Sequence, residues 1–260
     1  MARPGKILRG AQWGPRLAAA MAEAPAASVS WLEQHTRLLK SDRYSRVGLL
    51  ELEGAPCFLK LYLAKSPVQK LGFRLGYGRG LRSFDAATSM AEAGLPVPEP
   101  RACLLVPEGM VLLTEALAGG ADLRALWLDL PAADDAERLM HGAGAALARL
   151  HGAGYAHGDC KWSNLLWCAR GMYFVDLEVV RKPRAAGTLP LAGQLRDLAR
   201  FIVDAEELGA SAPQFEIFMG SYLAGVPCRR ERLVSQVRPL LTPIRERHQR
   251  RYRQAPRPLI

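Results

Sequence analysis

No apolar run in this sequence approaches the roughly 20 residues needed to span a bilayer. The nearest approach, Leu17–Ala22, ends at Glu23 after six residues. That is short of the roughly 7–15 apolar residues of a secretory signal core, so the N-terminus reads as part of a cytoplasmic protein. Cysteine is scarce too. Cys57, Cys103, Cys160, Cys168 and Cys228 form no CxxC pair and no zinc-ligand spacing, so they read as reduced thiols in or near the core. Lysine supplies only seven of the 35 basic residues. There are no internal repeats and no low-complexity linker, which excludes solenoids and bead-string architectures.

The chain does carry a large apolar share, 49% of 260 residues, enough for one two-lobed domain or two small ones. It also has an uneven excess of arginine. The formal net charge is +10, and Arg229–Ile260 holds ten Arg against Glu231 and Glu246, a local balance of +8. Such a surface suits an anionic partner, or else is a solvated helix face. Tyr252 is the only aromatic residue there, so the interleaved pattern of a nucleic-acid module is absent and no nucleic acid is expected.

The first half reads as short strands. Residues 47–52 and 57–63 flank the turn Glu53-Gly-Ala-Pro56, and "RACLLVPEGMVLLTEAL" repeats the hairpin around Pro107-Glu-Gly109. Leu81–Ala93 reads as a helix stopped by Gly94-Leu-Pro-Val-Pro98. The second half reads as helical. Asp134 or Asp135 is the expected cap of a helix running to His151, and helices occupy much of 191–250. Between them, "NLLW" and "MYFVD" predict a small hairpin around Ala169-Arg-Gly171. The expected fold is α+β and two-lobed like a protein kinase, with a β-rich lobe over 1–116 and a mainly helical lobe over 117–260.

Phosphoryl transfer requires held phosphates, neutralised charge and an acceptor hydroxyl placed in line. Mg2+ takes oxygen ligands, usually one or two side chains plus phosphate oxygens and water. In "HGDCKWSN", Asp159 and Asn164 have the spacing Asp-x-x-x-x-Asn. Asp176 follows at the end of an apolar strand that returns it beside that loop. Lys60 lies inside the apolar strand "CFLKLY". Each of these alone is commonplace: a turn, an edge-strand lysine, a strand-end aspartate. All of them in the order Lys, Asp, Asn, Asp predict a kinase.

The stretches "FLKLY", "AGLPVPEP", "LTEAL", "LHGAGYAHGDCKWSNLLW" and "YFVDLE" resemble the bacterial lipopolysaccharide core kinases, the Kdo- and heptose-kinase group related to protein kinases. The resemblance covers about 45–180, with a weaker match at "LRDLARF". It implies that Asp159 orients and deprotonates a sugar hydroxyl and that Lys161 neutralises the γ-phosphate of ATP. It implies that Asn164 and Asp176 bind Mg2+ and that Lys60 meets the α and β phosphates. Glu115–Leu117 would be the adenine-binding hinge, with Leu113 shaping that pocket. His157 would be structural, and Asp197 would brace the catalytic loop or else be a surface residue. The implied partner is the lipopolysaccharide core or a similar anionic glycolipid, met at the cytoplasmic face of the inner membrane.

The chain departs from the kinase pattern in several places. No G-x-G-x-x-G precedes Lys60, and "SDRYSR" (41–46) would cover the phosphates through serine and backbone N–H groups. Ser83 stands where the helix glutamate for Lys60 would be, so Asp85 or, less well, Glu92 pairs with it, or the pair is absent. No Ala-Pro-Glu follows Asp176, against a regulated protein kinase. The glycine-rich basic stretch 70–82 follows the lysine strand, so it reads as an insertion facing an anionic acceptor or membrane. Two rivals remain. One is a soluble kinase of aminoglycoside- or choline-like substrates, which would want an acidic pocket. The other is a pseudokinase scaffold at the membrane surface.

Overall fold

The computed structural model describes residues 5–22, 27–129, 133–182, 190–252 and 257–260. The chain divides into two compact units, 1–118 and 119–260.

In the first unit, β1 (Lys6–Arg9), β2 (Arg37–Asp42), β3 (Ser45–Leu52), β4 (Ala55–Leu63), β5 (Pro100–Val106) and β6 (Gly109–Glu115) form one antiparallel sheet. Its order is β1-β5-β6-β4-β3-β2. The strand period of two sends alternate side chains of β4 to opposite faces. Cys57, Leu59 and Leu61 join a core with Leu17 of α1 (Trp13–Ala22) and Trp31 and Leu32 of α2 (Ser28–His35). Tyr62 joins a second cluster with Phe73 of α3 (Pro67–Arg74) and Leu81 and Phe84 of α4 (Arg79–Glu92). Covering both faces explains why β4 and β6 read as nearly unbroken apolar runs. The β3–β4 turn has Glu53 and Gly54 at φ of 51° and 77°, the left-handed pair that a tight hairpin requires.

The two helices before β2 carry no signal strong enough to stand out from the sequence. The alanine-rich α1, with its faint likeness to a signal segment, instead buries Gly14 and Leu17.

The second unit contains β7 (Ala121–Asp122), α5 (Leu123–Leu128), α6 (Ala133–Gly152), β8 (Leu165–Cys168), β9 (Gly171–Phe174), α7 (Ala192–Glu207), α8 (Ala212–Gly225) and α9 (Arg230–Tyr252). The predicted hairpin is β8–β9, extended by β7 into a three-stranded sheet. Because α6 begins at Ala133, Asp134 and Asp135 lie inside its first turn rather than at the cap. There they still favour the positive end of the helix dipole. The helices α6 and α8 approach closely at Gly144, where a Cβ would come within 2.5 Å of the Phe218 carbonyl oxygen. Phe201 of α7 stacks on Phe218 of α8 at 4.1 Å between ring centres. The long helix α9 packs along α7. All five cysteines are free thiols, four of them buried.

Candidate active site

In the second unit the chain leaves α6 at Gly152 and runs through 153–164 into β8. The loop is pinned from below by α7. The buried Asp197 carboxylate accepts the backbone N–H of His157 at 2.6 Å and of Gly158 at 2.8 Å. Trp162 adds a second anchor. Its N–H donates to Asp204 Oδ2 at 2.7 Å and its indole to the Phe201 carbonyl at 3.0 Å.

His157 fixes the loop to the next strand. Its Nε2 lies 3.0 Å from the Val175 carbonyl oxygen, and its Nδ1 accepts the Asp159 N–H at 3.3 Å. Only a neutral ring protonated at Nε2 makes both contacts. Complete burial holds the imidazole pKa below its ordinary value, so the ring stays neutral. His157 is therefore a structural link, as expected from the sequence, rather than a proton carrier.

These anchors present Asp159 with three neighbours. Its Oδ2 accepts from Asn164 Nδ2 at 3.2 Å and lies 3.3 Å from Lys161 Nζ, while its Oδ1 pairs with Arg200 at 3.1 Å. Arg200 also donates to the Gly158 carbonyl. Asn164 Nδ2 additionally meets the Asp159 carbonyl oxygen at 2.9 Å, which leaves Oδ1 as the free branch of that amide. The Asn164 carbonyl accepts the Val175 N–H at 3.0 Å, so Asp176, the next residue, is tethered beside the loop. Asp176 has φ 61° and ψ 55°, a left-handed conformation that aspartate tolerates better than most residues. The structure thus gathers Asp159, Lys161 and Asn164 in one network, with Asp176 next in sequence to the Val175 amide that Asn164 holds. Asn164 Oδ1 and the Asp176 carboxylate are hard oxygen donors of the kind Mg2+ takes.

Beside this network lies a cleft of about 970 Å³. Asp159, Lys161 and Ser163 of the 153–164 loop form one wall of it. Arg124 comes from α5, Arg196, Arg200, Asp204 and Glu207 from α7, and Leu240, Ile244, Arg247 and His248 from α9. Burial raises the Asp204 pKa to about 6. His248 Nδ1 sits 2.6 Å from Glu207 Oε1.

Arg124, Arg196, Arg200, Asp204 and Arg247 were not singled out from the sequence. A signal for two of them lay in "LRDLARF", where Arg196 and Arg200 are four residues apart and share a helix face around Asp197. Nor is the arginine-rich end simply a free basic surface. Arg245 pairs with the buried Glu206, which also accepts the Leu259 N–H at 2.9 Å, and Arg230 pairs with Glu216.

The residues read as nucleotide contacts lie in the first unit. Lys60 is half-buried in β4 opposite Val47 and Leu112, with Nζ 4.7 Å from the centre of the Tyr62 ring. Asp85, expected as a partner for Lys60, receives Arg9 Nε at 2.9 Å. At the expected hinge, the Glu115 N–H donates to the Glu99 carbonyl and the Glu115 carbonyl accepts from Thr114 Oγ1. Leu117 follows β6, half-buried. In "SDRYSR", Asp42 Oδ1 takes the N–H groups of Tyr44 and Ser45 at 2.7 and 2.8 Å. Two of the amides expected to cradle phosphate are thus engaged by a carboxylate.

The model of the lipopolysaccharide kinase (Kdo/WaaP) family matches residues 30–222. A solved structure, WaaP in complex with acyl carrier protein, matches with a TM-score of 0.60 at 18% sequence identity, covering 86% of this chain and 92% of that one. At that identity the likeness is one of fold. No curated protein sequence matches the chain.

Proposed function

Because the chain belongs to the lipopolysaccharide kinase (Kdo/WaaP) family, whose members are phosphotransferases, we propose that it transfers the γ-phosphoryl group of ATP to a hydroxyl of a lipopolysaccharide inner-core sugar. The observation that carries the reading is Asp159 on the wall of a cleft lined by Arg124, Lys161, Arg196, Arg200 and Arg247. Those five cations face three carboxylates, Asp159, Asp204 and Glu207. The balance favours an acceptor bearing carboxylates or phosphates and disfavours a cationic aminoglycoside or amino-alcohol.

Asp159 is the acceptor of the sugar hydroxyl proton. A carboxylate offers about four acceptor positions, and Arg200, Lys161 and Asn164 take three of them. One remains on Oδ1 for the hydroxyl. The loose transition state of phosphoryl transfer demands placement more than basicity, which suits a carboxylate held this firmly. Lys161, 46% exposed on a flexible stem, is free to turn from Asp159 to the γ-phosphate. Arg200 keeps the carboxylate oriented when it does.

Asn164 and Asp176 are the residues that would hold Mg2+, which when bound neutralises phosphate charge. In the first unit, Lys60 is proposed to meet the α and β phosphates, and Glu115 and Leu117 the adenine. Asp85 is proposed to support that unit's phosphate side, while bound to Arg9. The reaction belongs at the cytoplasmic face of the inner membrane, where ATP and a growing core would meet. None of the described helices is long and apolar enough to cross a membrane. The solved relative is held with acyl carrier protein, so a carrier protein is a partner to test here as well.

The reading is tested by incubating the protein with ATP, Mg2+ and dephosphorylated lipopolysaccharide, then mapping added phosphate on the core oligosaccharide by mass spectrometry. Phosphate on a core sugar supports it. Phosphate on an aminoglycoside or choline and none on the core would replace it.

A further inference from the structure

The first unit carries an apolar surface that its own core does not use. At about 3.6 residues per turn, Val68, Leu71 and Leu75 form one stripe along α3 and its C-terminal cap. They are 80, 56 and 65% exposed, and Tyr77 just beyond is 76% exposed. Phe73, on the opposite side of the helix, is buried against Tyr62, Phe84 and Met110 and anchors it. Among the described residues, four of the five most exposed large apolar side chains thus fall within ten positions. A soluble surface rarely gathers them so.

The same stretch has one sign of charge. Residues 64–84 contain Lys65, Lys70, Arg74, Arg79 and Arg82 and no acidic residue. Lys70 and Arg74 are exposed alongside the stripe. With Lys6 they also line a cleft of about 220 Å³ floored by Phe73, Val106 and Pro107. A short helix with one outward apolar stripe, a basic flank and an aromatic residue at its end is the pattern that lies in a membrane interface.

We propose that α3 and its C-terminal extension, Pro67–Tyr77, are a docking element for an anionic phospholipid bilayer. Val68, Leu71 and Leu75 enter the boundary between headgroups and acyl chains. Tyr77 sits at headgroup level, and Lys70 and Arg74 meet lipid phosphates. A second copy of the chain is a poor occupant, since two such basic faces repel. The convex helix presents ridges rather than the groove that a protein's anchor residues would fill. Only the first unit is involved, whatever the acceptor in the second.

The full chain is tested by co-sedimentation with vesicles of phosphatidylethanolamine, phosphatidylglycerol and cardiolipin, and with phosphatidylcholine vesicles, without ATP. Wild type is expected on the anionic vesicles only. The substitutions Val68→Ser, Leu71→Ser and Leu75→Ser together should weaken that binding by roughly tenfold, with circular dichroism unchanged because all three side chains face outward. Lys70→Gln with Arg74→Gln should weaken it mainly at low salt. In a Tyr77→Trp variant the emission of the introduced indole should shift to the blue on anionic vesicles. Equal sedimentation of wild type and the triple variant would overturn the proposal. So would emission from the Tyr77→Trp variant that ignores vesicles, including one that responds only to an acidic carrier protein. Loss of core phosphorylation in the earlier assay would leave these outcomes untouched, so the two readings fail separately.

Discussion

The carboxylate of Asp197 lies under the loop that carries Asp159 and accepts the N–H of His157 at 2.6 Å. With the second bond to Gly158, it sets the height and direction at which Asp159 leaves the loop. Asp197→Ala would leave two N–H groups, one of them on the fully buried His157, without an acceptor. We predict a loss of about 3 kcal/mol in stability and a fall in turnover. Asp197→Asn, which keeps one acceptor oxygen, should recover part of the stability. Urea unfolding checks this, and a shift below about 0.5 kcal/mol would mean that the brace is dispensable.

The pH dependence of Asp204 has a defined sign. Burial raises its folded pKa from 3.8 to about 6. The group therefore contributes its full stability below 3.8 and loses it as pH rises through 6, because a buried charge then forms. The Asp204→Asn side chain can still accept the Trp162 N–H but never ionises. The stability of Asp204→Asn relative to wild type should rise between pH 4 and pH 6 and level off above about 7. Thermal melts across that range read it, and a flat difference would contradict the assignment.

The cleft arginines are predicted to act on the acceptor. Arg124→Gln with Arg247→Gln should raise KM for an anionic core acceptor by roughly tenfold, more at low salt, with kcat little changed. Steady-state kinetics at two ionic strengths decide it. An unchanged KM would remove the cleft from the acceptor path.

For the metal, Asp176→Ala should abolish the rise in melting temperature that Mg2+ produces in the presence of ATP. The side chain is not part of the core, so the fold should persist. A variant that still responds to Mg2+ as wild type does would exclude Asp176 as a ligand.

The geometry of the 157–164 loop was legible because its parts are local. Asp159 and Asn164 lie on one short turn, and the β8–β9 hairpin returns Asp176 within twelve residues of Asn164. The strands of the first unit were legible for the same reason, since hairpins are written in adjacent apolar runs and their turns. What depends on distant contacts was not. Arg200 meets Asp159 across 41 positions, and Arg9 meets Asp85 across 76. Neither pairing leaves a spacing to read. The arginine-rich end looked like a uniform surface in composition, yet Arg245 turns inward to Glu206 while Arg247 lines the cleft. Charge counts carry no direction; only the packing of α9 on α7 supplies it. The stretch 70–82 was recognised as basic, but its exposed apolar stripe appears only once Phe73 is seen to take the inward face of α3.

The central claim is that Asp159 accepts the sugar hydroxyl proton during phosphoryl transfer. Its most direct test is turnover of Asp159→Asn on a lipopolysaccharide core acceptor, measured beside nucleotide affinity. Asparagine preserves the shape of the side chain but removes the charge that takes the proton. We predict a fall in kcat of roughly 10²–10⁴ with ATP affinity little changed. Turnover near that of wild type, with core sugar still phosphorylated, would contradict the account.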